Sequence, residues 1–315
     1  MERIEVAPKD VEEALTVVRE VAIHTPTVSF REGSSEVLLK LENMQRLGVF
    51  KIRGVWNRLS QLSEHDRKRG FATISSGNHG LALAWASERL GLPCVVHVPV
   101  GGNPRKIESI RSHGADVRLM PRADLVRTHE EELWRSWPET FIHPFAHGHT
   151  IAGQGTIGLE IAESVSEVRT VLVPVGGGGL ASGIALGIRG RIPGVKVLAV
   201  QAEGAASLPE ALRTGRPYRV DSPSTIADGI GVGMVLPSMA AILSRTLDGC
   251  LLVSDDDIRS AMRTLAFDAK LVAEPAGAAT FAAWTRYRDR LESPVVAVVS
   301  GGNVDPKLLA EILRS

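Results

Sequence analysis

Val171–Gly179, which reads VLVPVGGGG, is an apolar run of five residues that ends directly in four glycines. The apolar run has the length and composition of a buried strand, and a helical pattern follows it at Gly183–Arg189. Glycine lets the backbone approach a ligand closely, and the free amides at the start of a helix favour an anion. The stretch therefore predicts a strand, a turn and a helix that together hold a phosphorylated small molecule.

Two further turns of this kind follow apolar runs elsewhere in the chain. Ser75–Gly80 (SSGNHG) comes after Phe71–Ile74, and Ser300–Asn303 (SGGN) comes after Pro294–Val299. The carboxyl ends of the strands in a parallel sheet share one edge, where ligands bind. We therefore expect the three turns to meet at one ligand site.

Strand and helix patterns alternate along the chain from Phe71 onward, and the strands are apolar throughout. This alternation predicts parallel sheets covered by helices on both faces. Eight or more such units are compatible with an eightfold barrel or with two open sheets. The two main glycine turns lie about a hundred residues apart, which favours an α/β fold of two doubly wound lobes with the site between them. The predicted strands are Val37–Leu41, Phe71–Ile74, Cys94–Val98, Val117–Met120, Phe141–His143, Val171–Val175, Val195–Gln201, Cys250–Val253 and Val295–Val299.

Helical periodicity fills most of the intervals between these strands. The first helix is predicted at Asp10–Ala22, where Asp10 and Glu13 have the spacing of a capping box that would make Asp10 the N-cap residue. A second helix is predicted to begin near Lys51, which precedes apolar residues at helical spacing. The others are predicted at Leu81–Leu90, Ala123–Trp134, Gly183–Arg189 and Asp256–Leu271.

The composition argues against several classes of protein. The 36 basic residues balance the 36 acidic residues, so there is no electrostatic case for binding nucleic acid or a membrane surface. No apolar run reaches the roughly 20 residues of a spanning helix, and the charged start, Met1–Glu5, has no apolar signal core. Cys94 and Cys250 lie in apolar runs and are interpreted as buried thiols rather than as a disulfide or a metal site. We expect a cytoplasmic protein.

Two familiar phosphate motifs can be tested against the tetraglycine turn. A nucleoside-triphosphate loop ends in Gly-Lys-Ser or Gly-Lys-Thr, whereas Leu-Ala follows the glycines here, which excludes it. The relaxed dinucleotide fingerprint fits better, because Gly176, Gly178 and Ala181 have its spacing. Glu203 ends the next predicted strand, where a ribose-binding acid would lie. An NAD-dependent dehydrogenase therefore remains an alternative.

Lys51 adds a second chemical element. Its neighbours Val49, Phe50 and Ile52 are apolar, which predicts a lysine partly withdrawn from water. Desolvation lowers the pKa of an amine and frees its lone pair for attack on a carbonyl. A phosphate-binding turn combined with an activated lysine indicates pyridoxal 5'-phosphate held as a Schiff base.

Seven short motifs occur in order along the chain: Phe50–Gly54 (FKIRG), Ser75–Gly80, Ala152–Thr156 (AGQGT), Gly176–Gly179, Thr225–Gly229 (TIADG), Glu274–Gly277 (EPAG) and Ser300–Asn303. In this order they resemble the serine/threonine dehydratase family, whose members are fold-type II pyridoxal-phosphate enzymes with the tryptophan-synthase β-chain fold. The resemblance extends from about Thr25 to Asn303. It implies a large cofactor-binding domain of residues 1–65 and 146–315. Residues 66–145 would form a small domain that carries the substrate-carboxylate loop.

The resemblance also implies how the cofactor is held. Lys51 would bind it covalently and would then remove the Cα proton of the substrate. The cofactor phosphate would be bound by the backbone amides of the glycine turn, those of Gly176, Gly177, Gly178 and Gly179. Asn78 would bond the ring hydroxyl and Ser300 would face the pyridine nitrogen. The cofactor site would be completed by Phe50 and Glu274.

Substrate binding is implied at the turn after Phe71–Ile74. The substrate carboxylate would be bound there by Ser75, Ser76, Gly77, Asn78 and His79. Ser76 also matches the residue that acts in racemases on the face opposite to the lysine, so it is compatible with both elimination and racemisation. Glu203 matches a cation-binding glutamate of some members. Because Pro209 stands where the second carboxylate belongs, we expect no metal site.

The predicted reaction is a pyridoxal-phosphate-dependent β-elimination that converts a β-hydroxy amino acid, such as L-threonine or L-serine, into a 2-oxo acid and ammonia. The hydroxyl of Ser300 cannot keep the ring nitrogen protonated as a carboxylate would, which favours loss of the β-hydroxyl over transamination. An amino-acid racemase of the serine type and a hydroxyaspartate dehydratase are alternatives on the same scaffold. The resemblance also implies a homodimer.

Three departures from the family pattern bear on the substrate. Leu47–Val49 (LGV) stands in place of Thr-Gly-Ser, and Ala146–His147 stands in place of two aspartates after His-Pro-Phe. Ile230–Met234 lacks the lysine that usually follows the Asp-Gly pair. Together these departures predict a pocket that is less polar at one wall and has a histidine near another.

Overall fold

Two sheets of mainly parallel strands, each packed between helices, and a separate antiparallel pair of short strands form the molecule. The computed structural model describes residues 4–75 and 77–315, without the side chains of residues 122, 126 and 130. The strands are β1 Thr27–Glu32, β2 Ser35–Leu41, β3 Phe71–Ile74, β4 Cys94–Pro99, β5 Asp116–Met120, β6 Thr140–Phe141, β7 Thr170–Pro174, β8 Lys196–Ala202, β9 Tyr218–Arg219, β10 Met234–Val235, β11 Gly249–Val253 and β12 Val295–Val299. The α-helices are α1 Pro8–Val18, α2 Lys51–Ser60, α3 Glu64–Lys68, α4 Asn78–Leu90, α5 Pro104–Arg111, α6 Arg122–Glu130, α7 Gly148–Ser164, α8 Gly179–Arg189, α9 Leu208–Thr214, α10 Pro237–Thr246, α11 Asp255–Phe267, α12 Pro275–Tyr287 and α13 Pro306–Arg314.

The strand order shows two separate open sheets. The larger sheet has the order β1-β2-β12-β7-β8-β11, and the smaller sheet has the order β5-β4-β3-β6. Within the described residues all pairings in these two sheets are parallel, except that β1 pairs antiparallel with β2. The predicted fold of two parallel-sheet lobes is therefore confirmed, and the eightfold barrel is not formed.

Successive side chains along the strands of the larger sheet point alternately into two hydrophobic cores, one on each face of the sheet. Val171 and Val173 of β7 belong to the core beneath α1, α7 and α8. Leu172, between them, belongs to the opposite core, which is filled by α11 and α12. A third core joins the smaller sheet to α2 and α4. Continuous burial along β7 is what a central parallel strand requires, because helices cover both of its faces.

The start of α1 differs from the prediction. The helix begins at Pro8 and ends at Val18, and its N-cap residue is Ala7, so Asp10 is not the cap but the third helical residue. The Asp10 carboxylate accepts a hydrogen bond of 2.7 Å from the backbone amide of Ala7. Proline is favoured at the first helical position because its φ is already helical and its missing amide would have no partner there. Pro8 thus sets the start of the helix two residues before Asp10.

The remaining strands lie close to their predicted positions, whereas helices α6 and α11 end four residues earlier than predicted, at Glu130 and Phe267. All nine predicted strands are present with ends shifted by at most two residues. Helices α4 and α8 begin earlier than predicted, at Asn78 and Gly179, because residues 78–80 and 179–182 contain only one large apolar side chain, that of Leu180, and so show little apolar periodicity. None of the described helices combines the length and the hydropathy that crossing a membrane requires.

Candidate active site

The three glycine-bearing turns line one cavity of about 400 Å³ between the two sheets. Each turn follows the carboxyl end of a parallel strand, β3, β7 or β12, so the cavity lies at the edge where such sheets bind ligands. The site residues predicted from the sequence that line it are Phe50, Lys51, Ser75, Gly77, Asn78, His79, Gly176, Gly177, Gly178, Gly179, Glu274 and Ser300. Ser76 lies outside the described residues.

Lys51 is the first residue of α2 and its ε-amine opens into the cavity. The amine donates a hydrogen bond of 3.3 Å to the carbonyl oxygen of Pro144 and lies 4.9 Å from the centre of the Phe50 ring. Burial lowers the pKa of Lys51 to about 8, although the carboxylate of Glu274 acts in the opposite direction. An amine with this pKa is partly unprotonated near neutral pH, as a nucleophile or a base must be.

A buried ionic network holds the start of α2 in place. Arg53 donates to both oxygens of Glu42 at 2.8 and 2.9 Å, and to the two oxygens of Glu160 at 2.6 and 3.0 Å. Lys40 of β2 donates to Glu160 at 2.6 Å. All four side chains are at most 5% exposed. Because Arg53 lies two residues after Lys51, the network fixes the helix that presents the ε-amine.

The tetraglycine turn is shaped by its glycines and by one aromatic side chain. Gly178 has φ of +92°, a conformation that residues other than glycine rarely adopt. A Cβ atom at Gly177 would lie 2.3 Å from the ring of Phe145, so this ring packs directly on the turn. Helix α8 begins at Gly179 with its amino end at the cavity. The turn, the helix start and the facing amine fit a cofactor that carries a phosphate and an aldehyde.

Asn78 connects the turn after β3 to two other segments of the site. Its amide nitrogen donates to the two oxygens of Glu274 at 2.8 and 3.0 Å. Its carbonyl oxygen accepts a bond of 2.9 Å from Asn303, which also donates to the carbonyl of Leu47. Burial raises the pKa of Glu274 to about 7 against the opposing effect of the Asn78 bonds. Asn303 was part of a motif, but the sequence did not predict that it orients Asn78.

Ser75 and His79 lie on either side of the start of α4. The hydroxyl of Ser75 accepts a bond of 3.3 Å from the amide of Gly77. His79 is buried, with its Nε2 atom 3.1 Å from the carbonyl oxygen of Ile142, and its Nδ1 atom has no hydrogen-bond partner among the described residues. Burial, assisted by the charge of Lys51, lowers the pKa of His79 to about 3. His79 is therefore a neutral imidazole at physiological pH.

Ser300 and the segment just before Lys51 are tied together through the backbone. Ser300 is buried at the end of β12 and lines the cavity. Its carbonyl oxygen accepts a bond of 3.2 Å from the amide of Phe50. This bond joins the end of β12 to the residue before Lys51, and both Ser300 and Lys51 line the cavity.

Glu203 lies away from the cavity. It follows β8, and its carboxylate accepts a bond of 2.8 Å from Arg286. Arg286 bonds Asp257 at the same distance. Within the described residues no group of three or more potential ligands is placed to hold a metal ion. Glu203 is thus part of a surface ion pair in this structure.

Lys106 and Asp228 are lining residues that the sequence analysis missed. Lys106 of α5 forms an ion pair with Asp228 at the cavity. Lys106 follows the carboxyl end of β4 by a few residues, and Asp228 belongs to the TIADG motif. The rule that ligands bind at the carboxyl ends of parallel strands could have found Lys106. Its pairing with Asp228 depends on two loops that are distant in the sequence.

The lowered pKa of Lys51 predicts how cofactor capture depends on pH. The amine reacts only when it is unprotonated, so the rate at which apoenzyme takes up pyridoxal phosphate should rise about tenfold per unit below pH 8 and level off above about pH 9. The rate is measured by stopped-flow absorbance on apoenzyme. A rate that keeps rising to pH 10.5, the ordinary lysine value, would show that Lys51 is not desolvated.

A lysine of lowered pKa that faces a glycine turn, in a cleft between two parallel sheets, defines the class of two-lobed pyridoxal-phosphate enzymes. Comparison with known proteins agrees with this class. The family model described as pyridoxal-phosphate dependent enzyme matches residues 18–301. The chain therefore belongs to this family, and pyridoxal 5'-phosphate is its cofactor.

The individual relatives have one of two activities. The L-threonine ammonia-lyase of Thermotoga maritima is 38% identical, over 97% of this chain and 78% of that protein. The serine racemase of Schizosaccharomyces pombe is 34% identical over 96% of both chains. The structure of the processed form of threonine deaminase isoform 2 from Solanum lycopersicum is similar with a TM-score of 0.88 and 30% identity, over 99% of this chain and 90% of that one. The dehydrogenase alternative is therefore set aside.

Proposed function

We propose that the protein is an ammonia-lyase that removes water from a β-hydroxy amino acid, such as L-threonine or L-serine, and that the dehydrated product is then hydrolysed by water to a 2-oxo acid and ammonia. The observation that carries the proposal is the single cavity in which the Lys51 amine, the tetraglycine turn and Ser300 meet. The similarity to threonine ammonia-lyases over nearly the whole chain supports the same reaction.

Different residues of the cavity would bind the cofactor and the substrate. The amides of Gly176–Gly179 and the start of α8 would bind the cofactor phosphate. Ser75, Gly77 and the first turn of α4 would bind the substrate carboxylate, because free amides and the helix dipole favour negative charge. Neutral His79 adds no positive charge there. Phe50 would lie against the cofactor, and the Asn78 amide, oriented by Asn303 and Glu274, would bond its ring hydroxyl.

Lys51 would then act as the base. Bound pyridoxal phosphate supplies an electron sink that acidifies the Cα proton of the substrate. The unprotonated ε-amine of Lys51 accepts that proton at Nζ, and its pKa of about 8 suits it to do so near neutral pH. Ser300 would present a hydroxyl to the pyridine nitrogen. A neutral hydroxyl does not stabilise a protonated ring nitrogen as a negatively charged carboxylate does, which favours loss of the β-hydroxyl over transamination.

A racemase of the serine type is the second candidate, because the serine racemase of Schizosaccharomyces pombe is similar over 96% of both chains. The deciding experiment supplies purified holoenzyme with both enantiomers of threonine, serine, 3-hydroxyaspartate and phenylserine. A lyase releases 2-oxo acid and ammonia in equal amounts, with its highest kcat/KM for one of these substrates. Chiral chromatography that finds D-serine formed from L-serine, without 2-oxo acid, would instead identify a racemase.

The division into domains is part of the proposal. We assign residues 1–65 and 146–315 to a large cofactor-binding domain and residues 66–145 to a small domain. Strands β3 to β6 all lie within 66–145, while the strands of the larger sheet lie outside it, which supports this division.

We also propose that the enzyme acts in the cytoplasm, since Cys94 and Cys250 are free thiols, as is usual in a reducing compartment. Recovery from an oxidising compartment in cell fractionation would contradict this.

A homodimer is also proposed. Three apolar side chains, Met44, Phe267 and Val272, are 48%, 54% and 50% exposed. The segments of Met44 and Val272 are neighbours, because the Asn43 side chain donates to the carbonyl of Val272 at 3.0 Å. An exposed apolar patch of this kind is typical of a contact surface. Light scattering that finds a monomer at micromolar concentration would contradict the dimer.

A further inference from the structure

A second cavity of about 380 Å³ lies beside the active-site cavity. It shares His129 and Leu236 with the active site, and the remaining wall comes from the start of the chain, the end of α2, the segment between α6 and the start of α7, and Ser238 of α10. Its lining is rich in nitrogen: the side chains that carry it are Arg58, Arg135, His129, His143, His147 and His149. None of the site residues implied by the family resemblance lines this cavity.

Arg58 is the unusual member of this lining. Within the described part of the chain its guanidinium forms no hydrogen bond and no ion pair, although it is half-buried in the last turn of α2. Burial lowers the pKa of Arg58, and the charge of Asp66 offsets this only in part. Arginines withdrawn from water are normally paired with a carboxylate or a phosphate, because an unpaired buried charge is costly.

The two acidic side chains that line the cavity, those of Glu5 and Glu132, do not pair with Arg58. Arg135 is already paired with Glu132 on its own turn. Glu5 lines the same cavity but forms no ion pair with Arg58. Arg58 therefore lines a partly open cavity of about 380 Å³, which is large enough for a small molecule, and no anion of the described chain forms an ion pair with it.

Two histidines add hydrogen-bond donors beside Arg58. The Nδ1 atom of His147 accepts a bond of 3.2 Å from the amide of His149, so the proton of neutral His147 is on Nε2. Burial, and then the charge of Arg58, lower the pKa of His147 to about 3 and also lower that of His149. Both imidazoles are neutral donors next to a permanent cation, a combination suited to an oxyanion.

We propose that this second cavity binds a small molecule through a carboxylate or phosphate group held by Arg58, with His147 as an additional donor. A guanidinium can bond two oxygens of either group at once. The site is separate from the tetraglycine turn and is independent of the identity of the amino-acid substrate. The segment that includes Ala146 and His147 departs from the family pattern of two aspartates, so this segment itself carries no acidic side chain that would repel an anion.

The test is calorimetric titration of the holoenzyme, in which bound pyridoxal phosphate already occupies the tetraglycine turn. Inorganic phosphate and 2-oxobutanoate are titrated separately, so that a phosphate ligand and a carboxylate ligand are distinguished. We expect at least one probe to show a binding component of one site per chain that depends on Arg58 and is additional to any binding of a carboxylate at the turn of Ser75. Arg58→Gln should weaken binding at least tenfold, whereas Glu5→Gln should strengthen it several-fold because it removes a negative charge from the lining.

Arg290→Gln is the matched control, because Arg290 is exposed on a turn that lines no cavity described here. It should bind the probes as the wild type does. The absorbance of bound cofactor and the thermal midpoint verify that each variant is folded. Equal affinity in wild type and Arg58→Gln, or no binding of either probe to the wild type at 10 mM (roughly the weakest carboxylate site of interest), would overturn the proposal.

Discussion

Lys51→Ala is expected to lower turnover by roughly 10³-fold or more and to remove the yellow colour of the cofactor-loaded protein. Lys51 lines the cavity, and the pKa of its ε-amine is about 8. With this pKa the amine can form a bond to a carbonyl carbon near neutral pH. Alanine removes both the covalent link to the cofactor and the base for the Cα proton. Turnover is measured as 2-oxo acid release, and the link as visible absorbance after gel filtration.

Two further variants separate chemistry from charge in this experiment. Lys51→Arg keeps a positive charge but cannot supply an unprotonated amine, since the pKa of arginine is above 12, so it should be as inactive as the alanine variant. Lys307→Ala removes an exposed lysine at the start of α13 and should leave colour and turnover unchanged. Retention of colour and turnover in both Lys51 variants would remove the basis of the proposed mechanism.

The fold was predictable where burial leaves a continuous apolar run. Strands such as β7 and β12 are buried along their whole length, so each has a signal that does not depend on its neighbours. Strand β1 was not predicted, because it lies at the edge of the larger sheet and has mainly exposed side chains. Its position is set by antiparallel pairing with β2, and pairing of this kind carries little sequence signal when neither face is fully buried.

The candidate site was predictable where one residue type at one position determines a local geometry. The tetraglycine turn and the apolar neighbours of Lys51 are of this kind, and the structure brings both to one cavity. Contacts between distant segments were not predictable from either segment alone. The ion pair of Lys106 with Asp228 spans 122 positions. Whether Arg58 has a partner among the described residues likewise depends on which distant segments fold close to it.

Arg53 shows the same limit in the interior. The FKIRG motif contains it, but an arginine two residues from the lysine of this motif would ordinarily be interpreted as a surface residue or a ligand for an anion. In the structure it is fully buried between Glu42 and Glu160. The two carboxylates come from the residue after β2 and from α7, which are distant in the sequence. Only the folded chain therefore shows that the arginine of the motif anchors the start of α2, where Lys51 lies.

Glu160→Gln is expected to lower the free energy of unfolding by about 3–5 kcal/mol, the usual result of removing one partner from a buried ion network. Glu160 accepts bonds from both Arg53 and Lys40, and each of these cations is 0% exposed. Burial alone would raise the pKa of Glu160, yet the charges and bonds of Arg53 and Lys40 together lower it. Glutamine would leave two buried cations with Glu42 as their one remaining anion in the network.

Glu163→Gln provides the comparison, because it makes the same substitution three residues further along α7. Glu163 is 35% exposed and pairs with Arg191 at 2.8 Å, so its loss should cost about 0–1 kcal/mol. Both variants are measured by urea unfolding of the apoenzyme, where no bound cofactor adds stability. If Glu160→Gln loses no more stability than Glu163→Gln, the network does not hold α2. In that case the position of the Lys51 amine must depend on the apolar contacts of α2 with α4 and α7.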